Sequence, residues 1–287
     1  MNGNPASGAA ITSDAITAKL NEISASPANT LKLKDAPAFD APLVGIGAGD
    51  DPLFQFFKED IGPFHMLPRE WLALKYGEEF AAAEASVISW ANPQTSATRG
   101  TNREQKETPS YDWALNRTFG EEFNRGMAAE LEAWLNARGI KAVAPMANLA
   151  FQWARSEKYG YASNWSERHA AFVCGLGTFG LCDGLITKHG KAARFGSVII
   201  ARPLPPTPRP YTRRDEYCLA TKGCRACASR CPAAAITPER GHDKEKCAAY
   251  QRTFVTPRCR DAYGFEGTYG CGLCQVGVPC EHRAPAP

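Results

Sequence analysis

The sequence predicts a mixed α/β (α+β) domain followed by a separate cysteine-rich domain, on three observations. Helix-period and strand-like stretches alternate upstream of residue 203. Five prolines crowd into residues 203–210. None of the 11 cysteines precedes Cys174, while nine lie between Cys218 and Cys280. Alternating elements suit a layered fold, and a proline run of this density is an extended, semi-rigid connector. The chain is therefore read as a loose N-terminal segment (1–30), an α/β domain (31–202), a linker (203–210) and a cysteine-rich domain (211–287).

Each element has a local reason. Within a loose start over residues 1–12, Ser13-Asp14 caps a helix running to about Ile23. Pro68 opens a second helix to about Tyr76. Ala85–Ala91 is a buried strand that ends at Asn92-Pro93, and the polar stretch 93–110 reads as loop. Tyr111 to about Arg138 is one long helix. Trp113, Phe119, Phe123, Met127, Leu131 and Trp134/Leu135 lie near one face, and Gly139 ends it. Ile140–Pro145 and Phe195–Ala201 read as strands.

Apolar residues make up 44% of the 287 and charged residues 22%, the balance of a soluble globular chain rather than a disordered one. A net charge of +3 without a basic run argues against nucleic acid or a polybasic membrane anchor. No window is apolar enough for a membrane span, and Met1–Leu20 lacks the pattern of a secretory signal. A cytoplasmic location is expected.

The cysteines admit three readings: disulfides, structural zinc or iron–sulfur clusters. The missing signal and the cysteine-free upstream region argue against disulfides. Cys224-x2-Cys227 and Cys271-x2-Cys274 could each supply half of a zinc site. Against zinc stands Cys224-x2-Cys227-x3-Cys231-Pro232, the last three cysteines and proline of the bacterial ferredoxin run, in which the final cysteine crosses to the other cluster. The first gap, Cys218-x5-Cys224, is longer than usual. Applying the crossover gives Cys218, Cys224, Cys227 and Cys280 to one [4Fe-4S] cluster and Cys231, Cys247, Cys271 and Cys274 to a second. Cys247 is preferred to Cys259 because Asp243–Tyr250 reads as a short helix. Cys174, Cys182 and Cys259 are left over.

Gly175-Leu-Gly177-Thr-Phe-Gly180 has the G-x-G-x-x-G spacing of a dinucleotide site. Its context is wrong: Ser166–Cys174 before it reads as a capped helix, and no acidic residue stands about twenty residues on. The glycines still require a tight turn or a close approach.

Glu167-Arg168 through Gly180, Gly184-Leu-Ile-Thr187, Gly196-Ser-Val198 and the two cysteine sets together resemble the epoxyqueuosine reductase family, and are similar to the C-terminal half of reductive dehalogenases. The likeness is dense over about 160–283. It implies a nitroreductase-like, corrinoid-binding domain packed on a ferredoxin-like domain with two clusters. It further implies cobalamin lying against Gly175, Gly177 and Gly180, and a side chain that supplies a proton. The family's catalytic aspartate falls here at Tyr161; dehalogenases use a tyrosine as acid. The segment that contacts tRNA in epoxyqueuosine reductases has no counterpart after Cys280, so the resemblance points to a paralogue with another, small-molecule substrate.

The expected function is thus an iron–sulfur oxidoreductase. It would draw electrons from a low-potential ferredoxin- or flavodoxin-like donor and pass them through two clusters to a reductive site near Gly175–Gly180. The alternative is an accessory electron carrier without cobalamin, its cavity filled by side chains such as Phe172, Phe179 and Tyr161. Several residues carry a plainer reading beside a functional one. Glu167 and Arg168 can cap a helix, His169 can be a satisfied helix histidine, and Cys182 and Asp183 can pack beside the glycines. Arg99, Arg103 and Lys106 can be a solvated basic loop or hold an anion, and His189 and His242 read as loop residues.

Overall fold

Strands from distant parts of the chain pair antiparallel to build the central sheet of the computed structural model, which describes residues 11–286. The first ten residues of the expected loose start lie outside this range. Helix α1 (Ser13–Ser24) begins where capping predicts, with Thr12 Oγ1 accepting from Ala15 N–H, and it buries Ile16, Leu20 and Ile23. Residues 13–24 are therefore a docked helix and not part of a loose segment. Strand β1 (Leu43–Ala48) leads into α2 (Pro52–Ile61), capped by Asp51, and α3 (Pro68–Tyr76) starts at the predicted proline. Strand β2 (Ser86–Pro93) is buried at every position.

The stretch 93–110, expected to be loop, contains α4 (Ser96–Arg103), whose Thr95 cap accepts from Thr98 N–H. Its composition hid it, because the inward side is polar: Thr98 and Asn102 are the buried residues. The long helix is α5 (Tyr111–Leu115), a π-turn (Asn116–Gly120) and α6 (Glu121–Asn136). The wide turn shifts the phase of the stripe. Phe123, Met127, Leu131 and Leu135 face the sheet, whereas Trp113 packs with Ala192 and Val276.

Next come β3 (Ala142–Val143), the hairpin β4 (Trp153–Ser156) and β5 (Gly160–Ser163), and α7 (Glu167–Val173). A second hairpin, β6 (Gly177–Phe179) and β7 (Leu185–Thr187), precedes β8 (Ala193–Ile200). The sheet order is β1-β2-β8-β3. Alternation along its two central strands splits the core. Val87, Ala91, Phe195 and Ile199 meet α2, α3 and α7, while Ile88, Trp90, Val198 and Ile200 meet α1 and α6. A side chain at Gly196 would stand 2.3 Å from the Trp90 ring, so that glycine makes room for the indole.

The proline-rich segment is strapped down rather than free. Thr207 N–H donates to Ile46 O (2.8 Å), and Ile46 N–H donates back to Thr207 Oγ1 (2.9 Å). Beyond it lie α8 (Ala226–Ser229), the small hairpin β9 (Ile236–Thr237) and β10 (Gly241–His242), α9 (Lys244–Tyr250) and α10 (Thr256–Tyr263). The α9 helix is the one read from the sequence, with Asp243 accepting from Lys246 N–H at 2.9 Å. No described helix is long and apolar enough to cross a membrane.

Candidate functional site

All 11 cysteines are free thiols. Cys218, Cys224, Cys227 and Cys280 ring one small cavity, together with Gly180, Leu181, Lys191 and Val278. This is the first quartet drawn from spacing. Cys231, Cys247 and Cys271 form a second neighbourhood: Cys271 lies within electrostatic reach of the other two, and Cys274 lies within reach of Cys271. Gln251 Nε2 donates to Cys271 Sγ (3.2 Å) while its Oε1 accepts from Cys271 N–H (3.2 Å), which pins that residue from two sides. Among the described residues, no group of three His, Cys, Asp or Glu closes on a single metal ion.

The three leftover cysteines part company. Cys174 is buried against β2, its thiol donating to Val87 O at 3.2 Å, and Cys259 packs with Val255 and Tyr269. Both behave as small apolar residues. Cys182 instead sits between the quartets, packed in one cluster with Cys227 from one and Cys274 from the other. Lys191, which no sequence motif marks, donates to Cys182 Sγ at 3.3 Å.

The segment after Cys280 is clamped to α4. Glu281, 3% exposed in its side chain, pairs with Arg103 (2.6 Å) and Arg99 (3.4 Å) of α4. Burial would raise the Glu281 pKa, but Arg103 and the Gly277 N–H overcome it and hold it below the usual carboxylate range. Those two members of the basic cluster are therefore structural partners.

A cleft lies between the two halves of the chain, in two lobes of about 680 and 440 Å³ that share Tyr159, Phe179, Asp183, Arg214, His242 and Lys244. Its lining includes one cysteine from each quartet, Cys218 in the larger lobe and Cys247 in the smaller. In the smaller lobe Arg168, Arg214 and Lys244 face a single carboxylate, Asp183. His242 Nδ1 stands 3.5 Å from Asp183. Burial opposes its charging, yet Asp183 and Cys247 raise its pKa to about 9. The smaller lobe is cationic and suits an acidic ligand.

Tyr161 lines this smaller lobe, 39% exposed, and Arg252 Nη1 donates to its hydroxyl oxygen at 3.0 Å. Tyr159 is spoken for, its hydroxyl donating to Asp60 Oδ2 at 2.6 Å. His169 bonds Ser166 Oγ (2.7 Å) between the rings of Phe57 and Phe179, the satisfied state of a helix histidine. Of the three glycines named from sequence, Gly180 lines the cleft. The other two answer to the chain itself. A side chain at Gly177 would stand 2.1 Å from Ile186 O across the β6–β7 hairpin, and one at Gly175 (φ +79°) would stand 2.9 Å from Pro208 O. The motif forms a hairpin strand, not a strand–turn–helix.

Arg168, itself exposed, lies beside a half-buried charged group of Arg117, Arg194, Glu121 and Glu167. Arg117 Nη1 is 4.0 Å from Glu121 Oε2, whereas both Glu167 oxygens and Arg194 Nε are buried without a partner. Burial pushes the Glu167 carboxyl up to about 8, so it holds its proton at neutral pH, and lowers Arg194 to about 9. Capping does not engage the Glu167 carboxylate.

No family model matches the sequence, and no curated protein matches it. Solved structures do match the fold. A catabolic reductive dehalogenase, NpRdhA, aligns at TM-score 0.53 and 16% identity over 85% of this chain. An epoxyqueuosine reductase determined with a modified tRNA stem loop aligns at TM-score 0.54 and 16% identity over 93%. A further dehalogenase, described as suggesting a mechanism for B12-dependent dehalogenation, aligns at 0.51 and 16% over 85%. The chain spans about 30% of the dehalogenases' length and 64% of the epoxyqueuosine reductase's. The structural neighbours are thus the two families that the sequence resembles, and the fold is shared with them.

Proposed function

We propose that this chain is an iron–sulfur oxidoreductase in which two [4Fe-4S] clusters deliver electrons to the cleft between its halves, where an acidic small molecule is reduced. The observation that carries the reading is the placement of the cysteines. Four thiols far apart in sequence ring one cavity, a second set gathers beside it, and one member of each set lines the same cleft. Thiolate-rich surroundings of this kind suit cubane clusters. A ferredoxin-like C-terminal domain and a low-potential ferredoxin- or flavodoxin-like donor belong to the same proposal.

Cobalamin is the cofactor proposed for the cleft. Phe179 offers an aromatic wall, and Arg168, Arg214, Lys244 and His242 offer donors for amide or phosphate groups. When bound, it would supply reduced cobalt able to break a carbon–oxygen or carbon–halogen bond. The chain's own part is to position and to provide a proton. Tyr161 can donate its phenolic hydrogen into the smaller lobe, while Arg252 stabilises the charge left on oxygen. The cationic side chains hold an acidic substrate there.

The accessory-carrier reading is favoured by one observation: Phe172 and Phe179 are 7% and 4% exposed and pack on each other, 5.8 Å between centroids. Anaerobic titration of cluster-replete protein with cob(II)alamin separates the two. A shift to the base-off visible and EPR spectrum at stoichiometric protein is expected; no shift would leave the carrier reading. Once binding is seen, Tyr161→Phe should slow reduction of halogenated or epoxide-bearing acids about 10²-fold while leaving the cobalamin titration in place. Equal loss of both would make Tyr161 structural.

A further inference from the structure

We infer that Lys191 is a counter-charge shared by the two cluster positions, and that Cys182 holds it there. The inference rests on the two-cluster reading above. Lys191 is 2% exposed, and among the described residues no carboxylate stands within salt-bridge distance of it. A buried ammonium without an anion is among the costliest arrangements in a protein, so its balance has to come from sulfur. The sulfurs around it are Cys182, which belongs to neither quartet, Cys280 and Cys227 of the first, and Cys274 of the second. It also lines the cavity ringed by Cys218, Cys224, Cys227 and Cys280.

Its position is fixed at both ends. The Lys191 N–H donates to Cys280 O at 2.9 Å. The preceding Gly190 (φ +82°) is pressed on the chain after Cys280, where a side chain would stand 2.2 Å from Glu281 O. At the other end Nζ donates to Cys182 Sγ, and the Lys191 stem packs with that sulfur about Gly184. Side chain and backbone together leave the ammonium little room to leave the space between the quartets.

A cubane with four thiolates is negative when oxidised and gains one further negative charge when the donor's electron reduces it. No bond forms or breaks, and no proton need move. A fixed positive charge in a poorly solvated place therefore favours the reduced form, with a strength set by distance and burial. Because Lys191 faces sulfurs of both sets, it makes both clusters easier to reduce and lowers the cost of an electron resting on either one.

The test is an EPR-monitored redox titration of the full-length, reconstituted protein. Wild type must first show two reducible cubane signals; fewer would sink the two-cluster reading before any variant is made. Lys191→Met keeps the stem and removes the charge. Its expected result is a tenfold or greater shift of the reduction equilibrium toward the oxidised form at both clusters, about 59 mV downward per tenfold for one electron. Lys191→Arg should restore both potentials. Unchanged potentials in the methionine variant, or a shift at one cluster alone, would overturn the inference. If that variant fails to take up iron, Cys182→Ala decides, since it frees the ammonium without removing it. A smaller downward shift at both clusters supports the proposal, and no shift overturns it.

Discussion

Replacing Cys224 with serine is expected to remove about half of the protein's iron, and replacing Cys271 to remove the other half, each with one EPR signal and about half of the visible absorption. The two sites are chosen because one rings the cavity with Cys218, Cys227 and Cys280, while the other lies with Cys231 and Cys247 and is pinned by Gln251. Serine preserves shape but is a poor ligand to iron, so the loss should be of a whole cluster rather than of affinity alone. Cys259→Ser is the matched control. It should keep its iron and instead lose stability by about 1–3 kcal/mol, because it puts a hydroxyl among Val255 and Tyr269. Iron retained in full by the Cys224 and Cys271 variants would refute the ligand assignment.

Protonation of His65 should cost the fold stability as pH falls from neutral. The ring is 1% exposed, stacks on Trp165 with centroids 6.0 Å apart, and has no partner for either nitrogen. Burial, with Lys58 adding to it, lowers its pKa from 6.5 to about 4. Between those values the unfolded chain binds the proton and the folded one does not. The His65 contribution is therefore whole above pH 6.5, falls as pH drops toward 4, and stops falling below it; its full loss is about 3 kcal/mol. His169, lowered in the same direction by burial, adds to the slope in that window. Glu281 acts later, because a depressed carboxylate loses its contribution only below its ordinary value. Glu167, its pKa raised by burial, works in the opposite direction over the same window, so the test is the difference: in denaturant melts at pH 7, 5.5 and 4.5, wild type should lose stability relative to His65→Phe as pH falls. A variant that declines as steeply as wild type would remove His65 from the account.

What could be read from the sequence was what neighbours in the chain decide. Pro68, Asp243 and Gly139 mark element ends because capping and left-handed turns need only a few adjacent residues. Strand β2 was visible because Val87, Ile88, Trp90 and Ala91 follow one another closely with no charge among them. Cys218, Cys224, Cys227 and Cys280, which the structure gathers round one cavity, could be grouped from the sequence because the crossover of the ferredoxin run is itself a spacing rule. Strand β1 was missed for a physical reason. Its Gly45 and Gly47 interrupt the apolar pattern, yet they are small because the end of α7 crosses close by, and a side chain at Gly45 would stand 2.1 Å from Cys174 O. The Glu281 clamp joins residues at opposite ends of the chain, and no local pattern announces such a pair. Lys191 was invisible for the opposite reason, since a lysine after a glycine looks like any surface turn.

The clamp also bears on the order of events during synthesis. On the proposed assignment the first cluster cannot close until Cys280 has left the ribosome, and Cys280 is steadied by the next residue's grip on α4. Iron delivery then has to wait for the upstream domain to present Arg99 and Arg103. A chain whose first half is misfolded would lack that anchor and would fill its first cluster poorly. Iron content would thereby report on the folding of residues that never touch the metal.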